Sequence, residues 1–361
     1  MILIESNKSP SKINLIDLSL SELNDLVEGL GEKPFRARQL ASWIFRKGID
    51  DFNQMSDISA SFKRRLEAQT TAKQCLKVLE LARDQDGSIK ILWELFDGNK
   101  IESVILQERE HLTLCLSTQV GCRMGCLFCR TGAMGLIRNL TQGEILSQFI
   151  MSPSLLGVSK LKLTNVVYMG MGEPLDNLSN VLKSLEIFTD PAYMALSPRH
   201  ISLSTVGLVP QIEEIAEKGN LKAGLTVSLG SATDDLRSYL MPINRAYSLS
   251  QLKKALADFP LQGGRRITVA YVVIKGVNDC LDHARAFSRF LGGLKVKVNL
   301  IAFNPWPGAP FDRPSEETVQ AFKKVLVEKF HTVIVRRSKG LSVNAACGQL
   351  AAQRAEPSPS V

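Results

Sequence analysis

An α/β fold is predicted for this 361-residue chain by three observations. First, β-rich apolar runs recur at 112-LTLCLSTQ-119, 164-TNVVYMG-170, 200-HISLST-205, 223-AGLTVSL-229, 267-ITVAYVVI-274, 296-VKVNLIAF-303 and 332-TVIVRR-337. Second, helical stretches separate them, the alternation that parallel βα units produce. Third, Cys122, Gly172, Glu173, Ser204, Ser228 and Asn304 fall at or just past the ends of such runs, where parallel sheets carry their sites. Periodicity alone does not choose between a βα barrel and a doubly wound sheet.

Ahead of the alternating region, residues 13 to 68 read as helical, with Leu18, Leu20, Leu23, Leu26 and Leu30 at helical spacing. A break at Gly31 and Pro34 leads into 35-FRARQLASWIFRKG-48. From Lys33 to Arg65 there are eight Lys or Arg against three Asp. That face suits phosphate contacts, and a solvated helix surface would look the same. From Lys77 to Gln107 the pattern becomes strand-like, and 89-IKILWELFDGNKIESVIL-106 alternates about an Asp97-Gly98-Asn99 hairpin turn. The expected organisation is a helical accessory domain at 1–70, which the family resemblance given below implies contacts RNA, a short β connector at 71–107, a core at 108–345 and a C-terminal segment at 346–361. The tail 354-RAEPSPSV-361 is expected to be disordered.

The apolar fraction of 45% and charged fraction of 22% fit a soluble globular protein. A net charge of +8 favours a polyanionic partner only weakly. Seven cysteines, odd in number and clustered in part, indicate ligand or redox chemistry in a reducing compartment, not a disulfide framework. The stretch 1-MILIESNKSPSK-12 lacks the apolar centre of a signal peptide, and no run approaches the roughly 18 apolar residues of a membrane span. A cytoplasmic protein without membrane association is expected.

The stretch 121-GCRMGCLFCR-130 places Cys122, Cys126 and Cys129 in a C-x3-C-x2-C spacing on a Gly-bearing loop. Three thiolates can hold three irons of a [4Fe-4S] cluster and leave the fourth open to a small molecule. S-adenosylmethionine (SAM), through its amino and carboxylate groups, is the usual candidate. The spacing resembles the radical SAM superfamily signature, whose third cysteine commonly follows an aromatic residue, here Phe128. Structural zinc wants four Cys or His ligands, and a closed tetrahedron is not supplied locally, since His111 and Cys115 lie on the segment leading in.

In 168-YMGMGEPLDN-177, Gly172 and Glu173 follow a strand and suit a contact to the amino group of a methionine moiety; an ordinary tight turn would use the same residues. Ser204, Ser228 with its neighbours Leu229 and Gly230, and Asn304 in 303-FNPWPGAP-310 offer hydrogen bonds for ribose or carboxylate. Cys347 in 344-NAACGQL-350 follows the last strand, and Cys115 precedes the first cluster cysteine by seven residues. Buried inert thiols are the commoner fate of single cysteines, and the sequence alone does not pair these two.

Taken together, 115-CLSTQVGCRMGCLFCRTGAMGLIRNLTQGEI-145, 168-YMGMGEPLDN-177, 202-SLSTVGLVP-210, 240-LMPINR-245, 276-GVND-279, 297-KVNLIAFNPWPGAP-310 and 345-AACGQL-350 resemble the RlmN/Cfr family of radical SAM RNA methyltransferases, as does 33-KPFRARQL-40 near the N-terminus. The resemblance spans nearly the whole chain. It implies a partial (β/α) barrel with an N-terminal helical accessory domain, acting as a monomer on an adenine of 23S rRNA and, in RlmN, of tRNA. It implies a [4Fe-4S] cluster on Cys122, Cys126 and Cys129, two SAM molecules per turnover and an unidentified electron donor. Cys347 would take a methyl group from one SAM, and a 5′-deoxyadenosyl radical from the second would remove hydrogen from that S-methyl group. The resulting carbon radical would add to the adenine ring. Glu102 in 101-IESVIL-106 matches the general-base position, although a solvated strand carboxylate would read alike; attack by Cys115 on the Cys347 sulfur would release product and leave a transient disulfide.

Several positions depart from the family pattern. Gly230 stands where His or Asn is usual, Arg130 replaces a small residue, Leu341-Ser342 replaces an acidic pair and Ala270 replaces a frequent acid. These bear on cofactor geometry and substrate choice. Methylation at carbon 2 is expected because the RlmN branch is the more widespread; the alternatives are Cfr-like methylation at carbon 8 and a non-methylating Fe–S protein that binds RNA.

Overall fold

A computed structural model of the chain describes residues 12–108, 110–157, 162–219, 221–329 and 331–352; the expected disorder at 354–361 lies outside them. The N-terminal unit holds β1 (Ile13–Asn14), α1 (Leu20–Gly29), α2 (Phe35–Ala41), α3 (Ala60–Gln69) and β2 (Thr70–Thr71), with β1 and β2 paired in parallel. Helix α1 begins at a capping box in which Ser19 and Glu22 satisfy each other's backbone amides. The apolar positions read from the sequence turn inward, and Leu23 and Val27 are buried.

β3 (Leu76–Arg83), β4 (Ile89–Leu95) and β5 (Lys100–Gln107) form an antiparallel meander, and β4 meets β5 about the predicted Asp97-Gly98-Asn99 turn. This connector does not stand apart: β5 pairs with β6 (His111–Cys115) and so extends the core sheet. β7 (Gln119–Cys122) and β8 (Gly135–Asn139) make a separate antiparallel hairpin around the cysteine loop, with α4 (Arg130–Ala133) between them. There follow α5 (Gln142–Met151), β9 (Lys162–Tyr168), α6 (Leu178–Thr189), β10 (Ile201–Thr205), α7 (Val209–Glu217), β11 (Gly224–Ser228), α8 (Asp234–Leu240), α9 (Leu249–Asp258), β12 (Ile267–Val273), α10 (Leu281–Leu291), β13 (Val296–Ala302), α11 (Glu316–Glu328) and β14 (Val333–Arg336).

The ten-stranded sheet has the order β14-β13-β12-β11-β10-β9-β6-β5-β4-β3. β6 and β9 through β14 pair in parallel. Residues of β9 to β14 line one common cleft, so the sheet curls about it, and β14 and β3 remain as edges. The fold is a partial (β/α) barrel, which resolves the alternative that periodicity left open. Strands covered on both faces read as continuous apolar runs; Tyr271 of β12, for example, packs on Phe287 of α10 and Phe322 of α11 with ring centroids 4.6 and 5.1 Å apart.

The N-terminal unit docks on α5, the helix that follows the cysteine hairpin. Gln142 donates to the carbonyls of Ile16 and Leu18, and the amide of Gly143 donates to Asp17. The basic helices are thus fixed to the element that follows the cysteine loop.

Candidate active site

The β7–β8 hairpin fixes the cysteine loop. Gly121 has φ +75°, and a Cβ there would lie 1.8 Å from the carbonyl oxygen of Gly135, so only glycine permits the strand approach. Cys122 ends β7, Cys129 is the N-cap of α4, and the Cys129 amide donates to the Cys126 carbonyl at 3.0 Å. All three cysteines line a cleft of about 1160 Å³ at the C-terminal ends of the parallel strands. Burial raises each thiol, and Cys129 and Cys122 raise Cys126 further. Buried thiols crowded in this way become thiolates when a cation binds them, so the donor set fits a metal cluster. Among the described residues no group of three His, Cys, Asp or Glu converges on a single ion position; a cube takes each cysteine at its own iron.

Gly172 and Glu173 line the same cleft as the cysteines. With φ +105° and a Cβ that would meet Gln119 at 2.6 Å, Gly172 lets this loop press against β7. Glu173 is 2% exposed and accepts the amides of Leu175 and Val206 at 3.0 and 2.8 Å. Burial outweighs those bonds and lifts its carboxyl to about 7. Ser204, Ser228 and Asn304 line the cleft, as Ala270 does.

Cys347 also lines it, and with Cys115 lines a second cleft of about 1260 Å³. The segment bearing Cys347 has no regular structure and is held by side-chain and backbone groups from elsewhere. Asn304 donates to the Cys347 carbonyl (3.2 Å), the Arg130 amide to Gly348 (2.8 Å) and the Thr131 hydroxyl to Leu350 (2.6 Å). The Ala351 amide donates to Glu102 (2.9 Å). Burial pushes the Cys115 thiol up to about 12, with Cys347 adding to it, and Arg336 draws both thiols down. All seven cysteines are free thiols.

Other predicted residues sit differently. Glu102 lines neither cleft: it is buried and pairs with Lys90 at 3.2 Å, so it is not a solvated strand carboxylate. Leu229 and Gly230 also lie off the cleft wall; the Leu229 carbonyl accepts from Arg237 and the Gly230 carbonyl from Asn278. A Cβ at Gly230 would lie 2.5 Å from the Met241 sulfur, so Met241 fills the space that a side chain would need. At the departure Leu341-Ser342, the Ser342 amide and hydroxyl both donate to Asp84, where an acid at 342 would be repelled. Arg336, which lines both clefts, and Arg237 were not singled out from the sequence, where no motif marks either.

Residues 13–72 match the family model for the ribosomal RNA large subunit methyltransferase N-terminal domain, and residues 116–287 match the radical SAM superfamily. The dual-specificity RNA methyltransferase RlmN of Campylobacter lari is 42% identical over 350 residues, covering 93% of this chain and 97% of the relative. That of Syntrophobacter fumaroxidans is 43% identical over 337 residues, with coverage of 93% and 97%. A radical SAM methyltransferase from Sphaerobacter thermophilus has a crystal structure that superposes with TM-score 0.88 at 38% identity, covering 94% of this chain and all of that one. Among the described residues no helix is long and apolar enough to cross a membrane. With these matches over a barrel that carries the cysteine loop, the chain belongs to the RlmN family of radical SAM RNA methyltransferases.

Proposed function

We propose that this enzyme methylates carbon 2 of an adenine in 23S rRNA, and of a tRNA, as a cytoplasmic monomer served by an external electron donor. The observation that carries the reading is the position of Cys347, which borders both the cysteine-loop cleft and the cleft holding Cys115. Carbon 2 of adenine is electron-poor, so direct attack on a sulfonium methyl is closed to it and a radical route is required. Cys122, Cys126 and Cys129 would hold the [4Fe-4S] cluster, with Gly172, Glu173, Ser204, Ser228 and Asn304 around SAM and the backbone at Leu229 and Gly230 shaping the wall behind it. When bound, this pair supplies a 5′-deoxyadenosyl radical.

The residues of the chain then act in sequence. Cys347 accepts a methyl group from a first SAM, gives up one hydrogen atom of that group and joins the adenine through the carbon left behind. Glu102 accepts the ring proton as the adduct gives up its unpaired electron, which balances the one electron spent in cleaving SAM. Cys115, as a thiolate, attacks the Cys347 sulfur while the departing methylene carbon takes up a proton, so the methylated RNA leaves and a disulfide forms in place of the thioether. Burial holds the Cys115 proton tightly, and Arg336 on the cleft wall favours the thiolate at the moment of attack. The N-terminal basic helices would bind RNA phosphates.

The test is anaerobic reconstitution with an rRNA fragment, reductant and SAM, followed by mass spectrometry against 2- and 8-methyladenosine standards. 2-Methyladenosine with 5′-deoxyadenosine is expected. 8-Methyladenosine would replace the regiochemistry with the Cfr-like one, and a cluster without SAM cleavage would replace the enzyme reading with RNA binding alone. Cys115→Ala should accumulate a covalent RNA adduct on a denaturing gel, while Cys347→Ala should neither methylate nor crosslink.

A further inference from the structure

Arg237 on α8 is wholly buried, at 0% exposure. Its Nε donates to the Leu229 carbonyl at 3.0 Å, Nη1 to Asn244 Oδ1 at 2.8 Å and Nη2 to the Val206 carbonyl at 2.7 Å. Every one of these acceptors is neutral. The nearby Asp234 carboxylate is turned to other donors, Asn244 Nδ2 and the Leu249 amide, and among the described residues no salt bridge reaches Arg237. Asp234 supports the charge on Arg237 without touching it, and a buried guanidinium with no anion in direct contact is costly, so it favours further negative charge nearby.

The fold supplies a place for that charge. The Met241 amide, just past α8, donates to the Arg237 carbonyl, and the Leu127 amide, inside the cysteine loop, donates to the Leu240 carbonyl at 3.0 Å. The loop is therefore pinned to the C-terminal turn of the helix that carries the guanidinium. Across that pinned turn Arg237 and Cys126 lie close enough for their charges to act on each other, and Asp234 is the other acid that reaches Arg237. The Val206 peptide extends the link: its carbonyl accepts from Arg237 while its amide donates to Glu173. One side chain thus ties the strand end at Leu229 to the peptide that holds Glu173, from the helix whose last turn pins the cysteine loop.

We propose that Arg237 is a positioning residue whose fixed buried charge sits behind Cys126 and favours the more negative, reduced state of the iron–sulfur cluster. The inference rests on the cluster assignment above and adds to it the source of the counter-charge. Reduction adds one electron to a thiolate-ligated cube that is already anionic, so a nearby cation in a low-dielectric setting raises the midpoint potential.

The experiment is an EPR-monitored redox titration of the reconstituted full chain as wild type, Arg237→Gln, Arg237→Lys and Asn244→Asp, with iron and sulfide counted for each. Arg237→Gln should hold the same iron per chain and show an oxidised-to-reduced ratio about tenfold higher at a fixed potential, equivalent to about 59 mV for a one-electron couple. Arg237→Lys keeps the charge and should stay within about threefold of wild type, although its hydrogen bonds change. Asn244→Asp keeps Arg237 but sets a carboxylate against it, and should shift the ratio in the same direction as Gln; it decides the matter if Arg237→Gln does not fold. A wild-type potential in both charge-altering variants, or equal shifts for Gln and Lys, would overturn the proposal while leaving the cluster assignment intact. A wild-type chain that binds no four-iron cluster would overturn both.

Discussion

Glu102 carries two separable duties, and a paired substitution pulls them apart. Its Oε1 lies 3.2 Å from Lys90 Nζ, with side chains 3% and 14% exposed, and its Oε2 accepts the Ala351 amide. Removing one partner of a buried ion pair costs about 3–5 kcal/mol because the other charge is stranded. Lys90 keeps some solvent access, and a Gln carbonyl can still accept from Ala351, so Glu102→Gln should cost about 3 kcal/mol, the lower end of that range. At roughly 2 °C per kcal/mol for a large chain, the melting temperature should fall by about 6 °C. Lys90→Met with Glu102→Gln removes the stranded charge and should recover most of that loss. If Glu102 takes the ring proton, the recovered double variant should still fail to turn over and should retain RNA as a covalent adduct. Calorimetry reads the first duty and a denaturing gel with labelled RNA the second. A Glu102→Gln melt within about 1 °C of wild type, roughly the reading error of the melt, would refute the electrostatic argument; wild-type methylation by the double variant would refute the base assignment.

Three further outcomes are expected. Gly348 has φ +86°, and a Cβ there would lie 3.2 Å from the Phe128 carbonyl oxygen; Gly348→Ala should cost about 1–2 kcal/mol and depress methylation while cluster content, read by iron analysis, is unchanged. Glu173 has its carboxyl raised from 4.5 to about 7, so its contribution to stability is fully present below about pH 4.5 and is lost as pH rises through about 7, by about 3 kcal/mol. Glu173→Gln should flatten that part of the pH–stability curve of the cluster-free protein, and an unchanged curve would show that the group does not titrate there. If the N-terminal face binds RNA, Arg38→Ala with Arg46→Ala and Arg64→Ala should reduce the slope of log affinity against log salt by about 2, since each phosphate left without its cation accounts for roughly 0.7–0.9. An unaltered slope would move the RNA elsewhere on the surface.

The sheet was legible because parallel strands sandwiched between helices have no polar face, so β12 reads ITVAYVV without alternation. The cysteine loop was legible because a local spacing carries it. The meander about Asp97-Gly98-Asn99 was legible too, and its register sets Leu92 opposite Glu102 and Lys90 opposite Val104, which makes Lys90 and Glu102 diagonal neighbours able to pair. What stayed hidden depends on elements distant in sequence. Nothing in DDLRSYL distinguishes a buried arginine from the polar stripe of an amphipathic helix, because the acceptors at Val206, Leu229 and Asn244 come from separate loops. Leu229 and Gly230 were placed at the site from their position after a strand, but it is their carbonyls, turned away from the cleft, that are engaged. The departure at Gly230 makes sense only once Met241 is seen beside it.

Cys347 raises a geometric demand that a helix or strand would not meet. In the proposed reaction its sulfur meets a methyl donor, then a hydrogen acceptor, then an adenine carbon, then the Cys115 thiolate, and no single rigid pose serves all four. The structure holds the flanks of the segment and leaves Cys347 itself exposed: Gly348 and Leu350 are bonded to the first turn of α4, directly after Cys129, and Ala351 to Glu102. Side-chain rotation at Cys347 therefore occurs against a frame referenced to the cysteine loop on one side and to the proposed base on the other. Loosening that frame should not abolish any single chemical step. It should uncouple them, so that radical formation continues while methyl transfer to RNA falls, and the ratio of 5′-deoxyadenosine to methylated adenosine in Thr131→Val would rise above that of wild type.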